Sequence, residues 1–266
     1  MNTLPIGWRV LAHVVTMAVI AFLVAPILAI IPASFNKASF IRLPPQAWSP
    51  IWYARFFAEP EWLRALLNSL KFAVLCTAIA VPAGTLAAFA LARSTPAVRM
   101  IATGLLMAPM VVPEIVAAVG IYRSALDFSV NGTVLAVALS HAVMALPFVV
   151  INVSISLRAV DPAWPLAAAG LGAGPWRVFR TVTLPNIIPG IAGGAVFAFM
   201  TSFDETVLTI FLSDYQTKTL PVKLWETVRL EFTPILAVAT TLMIALSVIL
   251  FVVIQMLSSR QKGESS

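Results

Sequence analysis

Charge is what this sequence has least of. Only 11% of its 266 residues are Asp, Glu, Lys or Arg, against about a quarter in a soluble domain. With 60% hydrophobic residues and a mean hydropathy of +0.96, it reads as an all-α polytopic membrane protein. Cysteine occurs once, as Cys76 in an apolar run, which excludes an intrachain disulfide framework and a thiolate metal site. The two histidines, His13 and His141, fall in different apolar runs with no ligand-spaced neighbour. No metal site is therefore expected, and an intramembrane metalloenzyme or Ser/His hydrolase has no motif to rest on. Walker A and G-x-G-x-x-G patterns are missing too, so the chain has no loop of its own to cradle ATP phosphates. No cofactor is expected in it. The net charge of +6 comes from basic residues scattered over loops. Without a Lys/Arg cluster interleaved with aromatics, it is no nucleic-acid signal.

What is present is long apolar runs. A bilayer core of about 30 Å takes about 20 helical residues. Residues 10–36, 72–92, 128–157 and 232–259 hold no charged side chain. Two more runs are long enough if they carry acids: 100–122 with Glu114, and 181–213 with Asp204 and Glu205. Six transmembrane helices are expected, roughly 10–31, 66–91, 100–122, 133–154, 187–213 and 234–257, in one transmembrane domain over 1–266. The first exceeds the 7–15 residues of a signal-peptide core, so it reads as an uncleaved helix, with Pro26 and Pro32 set to kink or end it. Aromatics crowd 33–63, as suits a membrane interface in contact with lipid. An even span count puts both termini on one side.

The basic residues do not orient the chain. With the N-terminus inside, the inner set is Arg9, Arg93, Arg99, Arg158, Arg177, Arg180, Arg260 and Lys262. The outer set is Lys37, Arg42, Arg55, Arg64, Lys71, Arg123, Lys218, Lys223 and Arg229. Eight against nine decides nothing. The inner loops hold only Asp161 and Glu264 as acids.

Carboxylates inside a span mark function by default, at roughly 2.5–3.5 kcal/mol each on insertion scales. Glu114 lies 14 residues beyond Met100, and Asp204 the same number beyond Gly190. At 1.5 Å per residue both would sit about 21 Å deep, a level arrangement that suits a cation. On a continuous helix Glu205 would point about 100° away from Asp204, leaving Asp204 to face the path. Glu114 also fits a plainer role in the first turn of a helix opened by Pro113. His141 fits that of a satisfied interhelical donor.

The loop 155–184 is too long for a hairpin and is amphipathic. Ala167, Ala168, Gly172 and their small neighbours allow close backbone approach. Trp176, Val178 and Phe179 offer apolar anchors, and Arg177 and Arg180 charge. A surface helix lying on lipid would look similar.

That loop resembles the signature cytoplasmic loop of ABC importer permeases. The family pattern is Glu-Ala-Ala, three residues, Gly, nine residues, Ile, any residue, Leu-Pro. Here it reads Leu166-Ala167-Ala168, Gly172, and Val182-Thr183-Leu184-Pro185. Leu166 replaces the usual glutamate. Asn68-Ser69-Leu70, Pro113-Glu114-Ile115, Ser202-Phe203-Asp204-Glu205 and Thr219-Leu220-Pro221 resemble the spermidine/putrescine branch, so the likeness covers about 10–257.

The resemblance implies a type I ABC importer permease fold whose cytoplasmic coupling helix docks on an ATPase through Ala167, Ala168, Gly172, Trp176, Arg177, Leu184 and Pro185. It implies a cytoplasmic ABC ATPase dimer that binds the ATP, a second and different permease, and a periplasmic or extracellular solute-binding protein. It places the chain in the cytoplasmic (inner) membrane with both termini inside. The cargo implied is a polyamine or related organic cation, lined by Asp204, Glu205 and Glu114. A non-polyamine solute remains open, as does an ion-coupled carrier, although no internal repeat supports the latter.

Overall fold

The computed structural model describes residues 6–41, 43–45 and 47–263. Arg42 and Glu264 of the charge count lie outside the described residues, as do the side chains of Arg260 and Lys262. Among the described residues the chain is helical with no strand, and it divides into two compact units.

The first unit takes residues up to Leu63 with Leu224–Ala245. Its α1 (Ile6–Ser34) turns apolar side chains outward along its length. The helix runs through both Pro26 and Pro32, where the sequence suggested a kink or an end. After it, Asn36 and Trp48 pair as an isolated antiparallel bridge, and α2 (Ile51–Ala58) follows. The aromatics here form a small core rather than only a belt. Trp52, Phe56 and Trp62 are buried, and Phe56 packs its ring 5.6 Å from that of Trp62. The Trp52 indole N–H donates to the Ala38 carbonyl (3.1 Å), and the Ser34 and Tyr53 hydroxyls pair at 2.8 Å.

The second unit, Arg64–Lys223 with the chain from Leu246 onward, carries the motifs named above. It is built from α3 (Pro60–Arg93), α4 (Pro96–Val111), α5 (Glu114–Asp127), α6 (Val134–Ala159), α7 (Ala163–Gly170), α8 (Pro175–Val178), α9 (Leu184–Phe203) and α10 (Val207–Leu212). The chain then runs into α11 (Leu220–Leu230) and α12 (Pro234–Gly263). Arg99 closes the end of α3 by donating to the carbonyl of Leu91 in its last turn and to that of Ser94 just past it (2.9 and 3.0 Å). Pro96 then starts α4 where its missing N–H is not needed.

Helix α6 is the axis of this unit and the most buried of its helices. It joins two apolar clusters. One gathers Cys76, Ala80 and Ala88 of α3 with Ala145, Val149 and Val153 of α6 and Ile187 and Ala198 of α9. The other gathers Phe72 of α3, Ala118 and Ala125 of α5, Val137 and Ala138 of α6, and Leu208 and Leu212 of α10. Small residues let α6 and α9 approach closely. A Cβ on Gly190 would stand 2.7 Å from the Asn152 carbonyl oxygen, and one on Gly194 3.1 Å from Val149 Cα.

Among the described residues, five helices are long and apolar enough to cross a membrane, and the bent pair α4–α5 makes a sixth if it is one span. Two expected spans differ from straight rods. The run 100–122 is broken at Val112-Pro113, where the chain bends by 103°. Proline has no N–H to continue α4 and pushes the residue before it to extended backbone, as Val112 shows with ψ 128°. The run 187–213 breaks at Asp204–Thr206 between α9 and α10. The depth reckoned for Glu114 along a continuous helix therefore does not hold. Nor does the 100° offset between Asp204 and Glu205.

Candidate substrate pathway and docking loop

Both breaks carry acids: Glu114 opens the helix after the first, and Asp204 and Glu205 lie within the second. Glu114 is the first residue of α5, with Pro113 at the cap. The Pro113 carbonyl accepts from the amides of Val116 and Ala117 (2.9 and 3.1 Å), so the first-turn position expected for Glu114 is what forms. Its side chain is exposed. At the second break, the Met200 carbonyl accepts from the Asp204 amide (3.1 Å) as α9 ends, and the Asp204 side chain is exposed. Glu205 turns inward and is only 7% exposed. Its Oε1 accepts from the Leu208 amide at 3.0 Å, capping α10.

Helices α5 and α10 pack together, with Tyr122 and Phe211 rings 6.2 Å apart. Glu114 and Asp204 both stand within electrostatic reach of Glu205. Three carboxylates from two different spans thus share one neighbourhood. Their duties differ: Glu205 spends one oxygen on a backbone amide, while Asp204 and Glu114 present theirs outward.

Sequence reasoning left His141 as a lone satisfied histidine and could not name its partners. They are Ser202 and Thr209, which flank the second break. The one available signal was three polar residues, Ser202, Thr209 and His141, in otherwise apolar runs.

Two other sequence motifs meet. The Asn68 amide donates to the carbonyls of Gln216 and Lys218 (2.8 and 2.9 Å), and Ser69 Oγ accepts from the Leu220 amide (2.9 Å). Asn68-Ser69-Leu70 thus holds the loop that leads into Thr219-Leu220-Pro221. In that loop, hydrogen bonds to Asp214 from the Thr217 hydroxyl first, then from the Thr217 and Gln216 amides, hold its carboxyl below the usual 3.8.

The docking loop is shorter than 155–184. Helix α6 extends to Ala159, and the helical run that becomes α9 starts at Pro175. Only 160–174 leaves the long helices, and it contains α7. Trp176, Arg177, Leu184 and Pro185 therefore sit on the first turns of a long helix. A π-helical stretch, Phe179–Thr183, precedes Pro185. Its wider turn accommodates a ring that an α-helix interior rejects. Ala167 and Gly172 are exposed and Ala168 is half-buried. Leu166 is 71% exposed and Trp176 70%. Phe179 is no outward anchor: it faces Phe89 of α3 at 5.5 Å and stacks on Trp176. Gly172 has φ +86° and ends α7, with the Ala173 amide donating to the Ala168 carbonyl.

The geometry defines a multi-helix membrane subunit with a surface loop of small residues, and comparison places it. The family model for the binding-protein-dependent transport system inner membrane component matches residues 80–263, and the chain belongs to that family. It is an inner-membrane, multi-pass ABC importer permease. Among its relatives is the spermidine/putrescine transport system permease protein PotC of Escherichia coli (strain K12). That protein is 28% identical over 249 residues, covering 93% of this chain and 94% of its own. The putrescine transport system permease protein PotI of the same strain is 29% identical, covering 98% and 96%. The molybdenum transport system permease protein ModB, also from that strain, is 34% identical over 64% of this chain and 81% of its own. In fold, the chain is similar to a bacterial ABC transporter that imports the acidic polysaccharide alginate. The TM-score is 0.73 at 14% identity, covering 98% of this chain and 99% of that one.

Proposed function

We propose that this permease forms half of a pathway for polyamines or related organic cations. The observation that carries the reading is the meeting of Glu114, Asp204 and Glu205 at two helix breaks. An anionic cargo would meet three like charges there. A multivalent cation would relieve the repulsion that Glu114 and Asp204 exert on Glu205 and repay the burial of that carboxylate. PotC and PotI, named for spermidine and putrescine, support the cargo class.

The energy comes from a separate ATPase dimer, which α7 and the exposed Trp176 and Arg177 would engage from the cytoplasm. On this reading both termini lie on that side. Leu166 offers an apolar contact where the family pattern has a carboxylate, so docking rests on packing. A second, different permease completes the pathway, and an external binding protein delivers the cargo, as the family description suggests. Closure of the ATPase moves the coupling helix and rocks the packed α3, α6 and α9 to open the path.

The test is radiolabelled polyamine uptake by the whole complex in vesicles. Asp204→Asn should cut uptake about tenfold or more, the equivalent of one charge-assisted contact of ~1.5–3 kcal/mol, with assembly intact. Uptake at the unmutated rate would refute the carboxylate reading.

A further inference from the structure

The buried polar groups around the second break form a connected set. His141 on α6 is fully buried, at the seam of the two apolar clusters. Its Nδ1 lies 2.8 Å from Ser202 Oγ in the last turn of α9, and its Nε2 lies 2.9 Å from Thr209 Oγ1 in α10. The two hydroxyls stand on either side of Asp204-Glu205-Thr206. From α3, the Cys76 thiol donates to the Ala198 carbonyl of α9 (3.7 Å), and Phe72 sets its ring edge-on to the imidazole at 6.1 Å.

Counting protons fixes the tautomer. Thr209 Oγ1 donates its only proton to the Glu205 carbonyl at 3.1 Å. It must therefore accept from His141 Nε2–H, and Nδ1 is left to accept from the Ser202 hydroxyl. Both nitrogens of a neutral ring are satisfied. One side chain thus spans a gap where α9 has ended and α10 has just begun, and where the ladder of helical hydrogen bonds is interrupted.

We propose that His141 is a positioning residue that braces both sides of the break against α6 and so holds Asp204 and Glu205 in place along the path. An apolar side chain of similar volume would fill the same space. It would leave Ser202 and Thr209 without their imidazole partner in an apolar core, which is costly. Packing alone does not account for the residue. The brace rests on geometry; its effect on cargo rests on the carboxylate reading above.

The two are separable in the assembled complex. Thr206→Cys places a thiol in the break, and the buried Cys76 is the chain's one other cysteine. The rate at which a small methanethiosulfonate labels this thiol should change about tenfold in His141→Leu, the equivalent of one lost buried hydrogen bond. His141→Asn, whose amide overlays Nδ1, and His141→Gln, whose amide overlays Nε2, should each give intermediate rates. In the same vesicles, the apparent KM for putrescine should rise about tenfold in His141→Leu, by the same conversion. An unchanged labelling rate overturns the brace whatever uptake does. A changed rate with an unchanged KM keeps the brace and refutes the carboxylate role in cargo binding. If His141→Leu does not assemble, the Ser202→Ala/Thr209→Val double variant removes both partners and is judged by the same labelling criterion.

Discussion

Gly172 shows how a single residue of a family pattern acquires a physical reason. A Cβ there would meet nothing within 4 Å, so space does not demand glycine. The backbone does, at φ +86°. Gly172→Ala should strain the end of α7 by about 1–2 kcal/mol, whereas Gly170→Ala, equally open and without a positive φ, should be neutral. ATPase stimulation by the binding protein, measured in the whole complex, should fall in the first variant and not in the second; equal effects would remove the backbone argument. At this scale the sequence was legible where a residue type is forced. The resemblance to the family's loop pattern marked Gly172 and Leu184-Pro185, and hydropathy marked Asp204 and Glu205. The direction of each side chain was not legible. That Glu205 turns in to cap α10 while Asp204 faces out depends on a break that apolarity does not encode.

Among the elements, the α6–α9 pair carries the closest packing of the second unit. Gly190 has no room for a methyl group, because the obstacle is the backbone carbonyl of Asn152 at 2.7 Å. Gly104 on α4 has nothing within 4 Å. Gly190→Ala should cost about 1–3 kcal/mol, as overpacking does, and Gly104→Ala should be neutral or gain about 0.5–1 kcal/mol in helix stability. Thermal unfolding of the purified complex reads both, and a lower midpoint for Gly104→Ala than for Gly190→Ala would contradict the packing. Hydropathy located all six apolar runs because chain length against bilayer thickness is a one-dimensional property. It missed the two breaks. Pro113 lay in plain view, yet prolines at 26, 32, 82, 147 and 189 are carried inside continuous helices. Whether a proline breaks a helix depends on what its neighbours can supply to the freed carbonyl, and that is tertiary information. The shortened docking loop has the same origin: α6 and the run from Pro175 extend as helices past their apolar stretches, where hydropathy no longer tracks them.

For the whole molecule, the decisive contrast is the source of energy. A carrier driven by an ion gradient needs its coupling site within the chain, commonly at the interface of two repeats. Here the acids gather at two breaks of one unit, and the helical run that ends at Asp204 starts from a surface loop of small and apolar residues. That loop exposes Leu166 and Leu171, and the first turn of the helix after it exposes Trp176, apolar surface of the kind that marks an interaction site. On the proposed reading, uptake should vanish when the chain is reconstituted without the ATPase and second permease that reading assigns it. In the complete assembly it should follow ATP and ignore collapse of the proton and sodium gradients. Transport by the chain alone under an imposed ion gradient would return it to the secondary carriers. Abolition by Leu166→Asp together with Trp176→Ala, with the membrane subunits still assembled, would place the energy input at the loop.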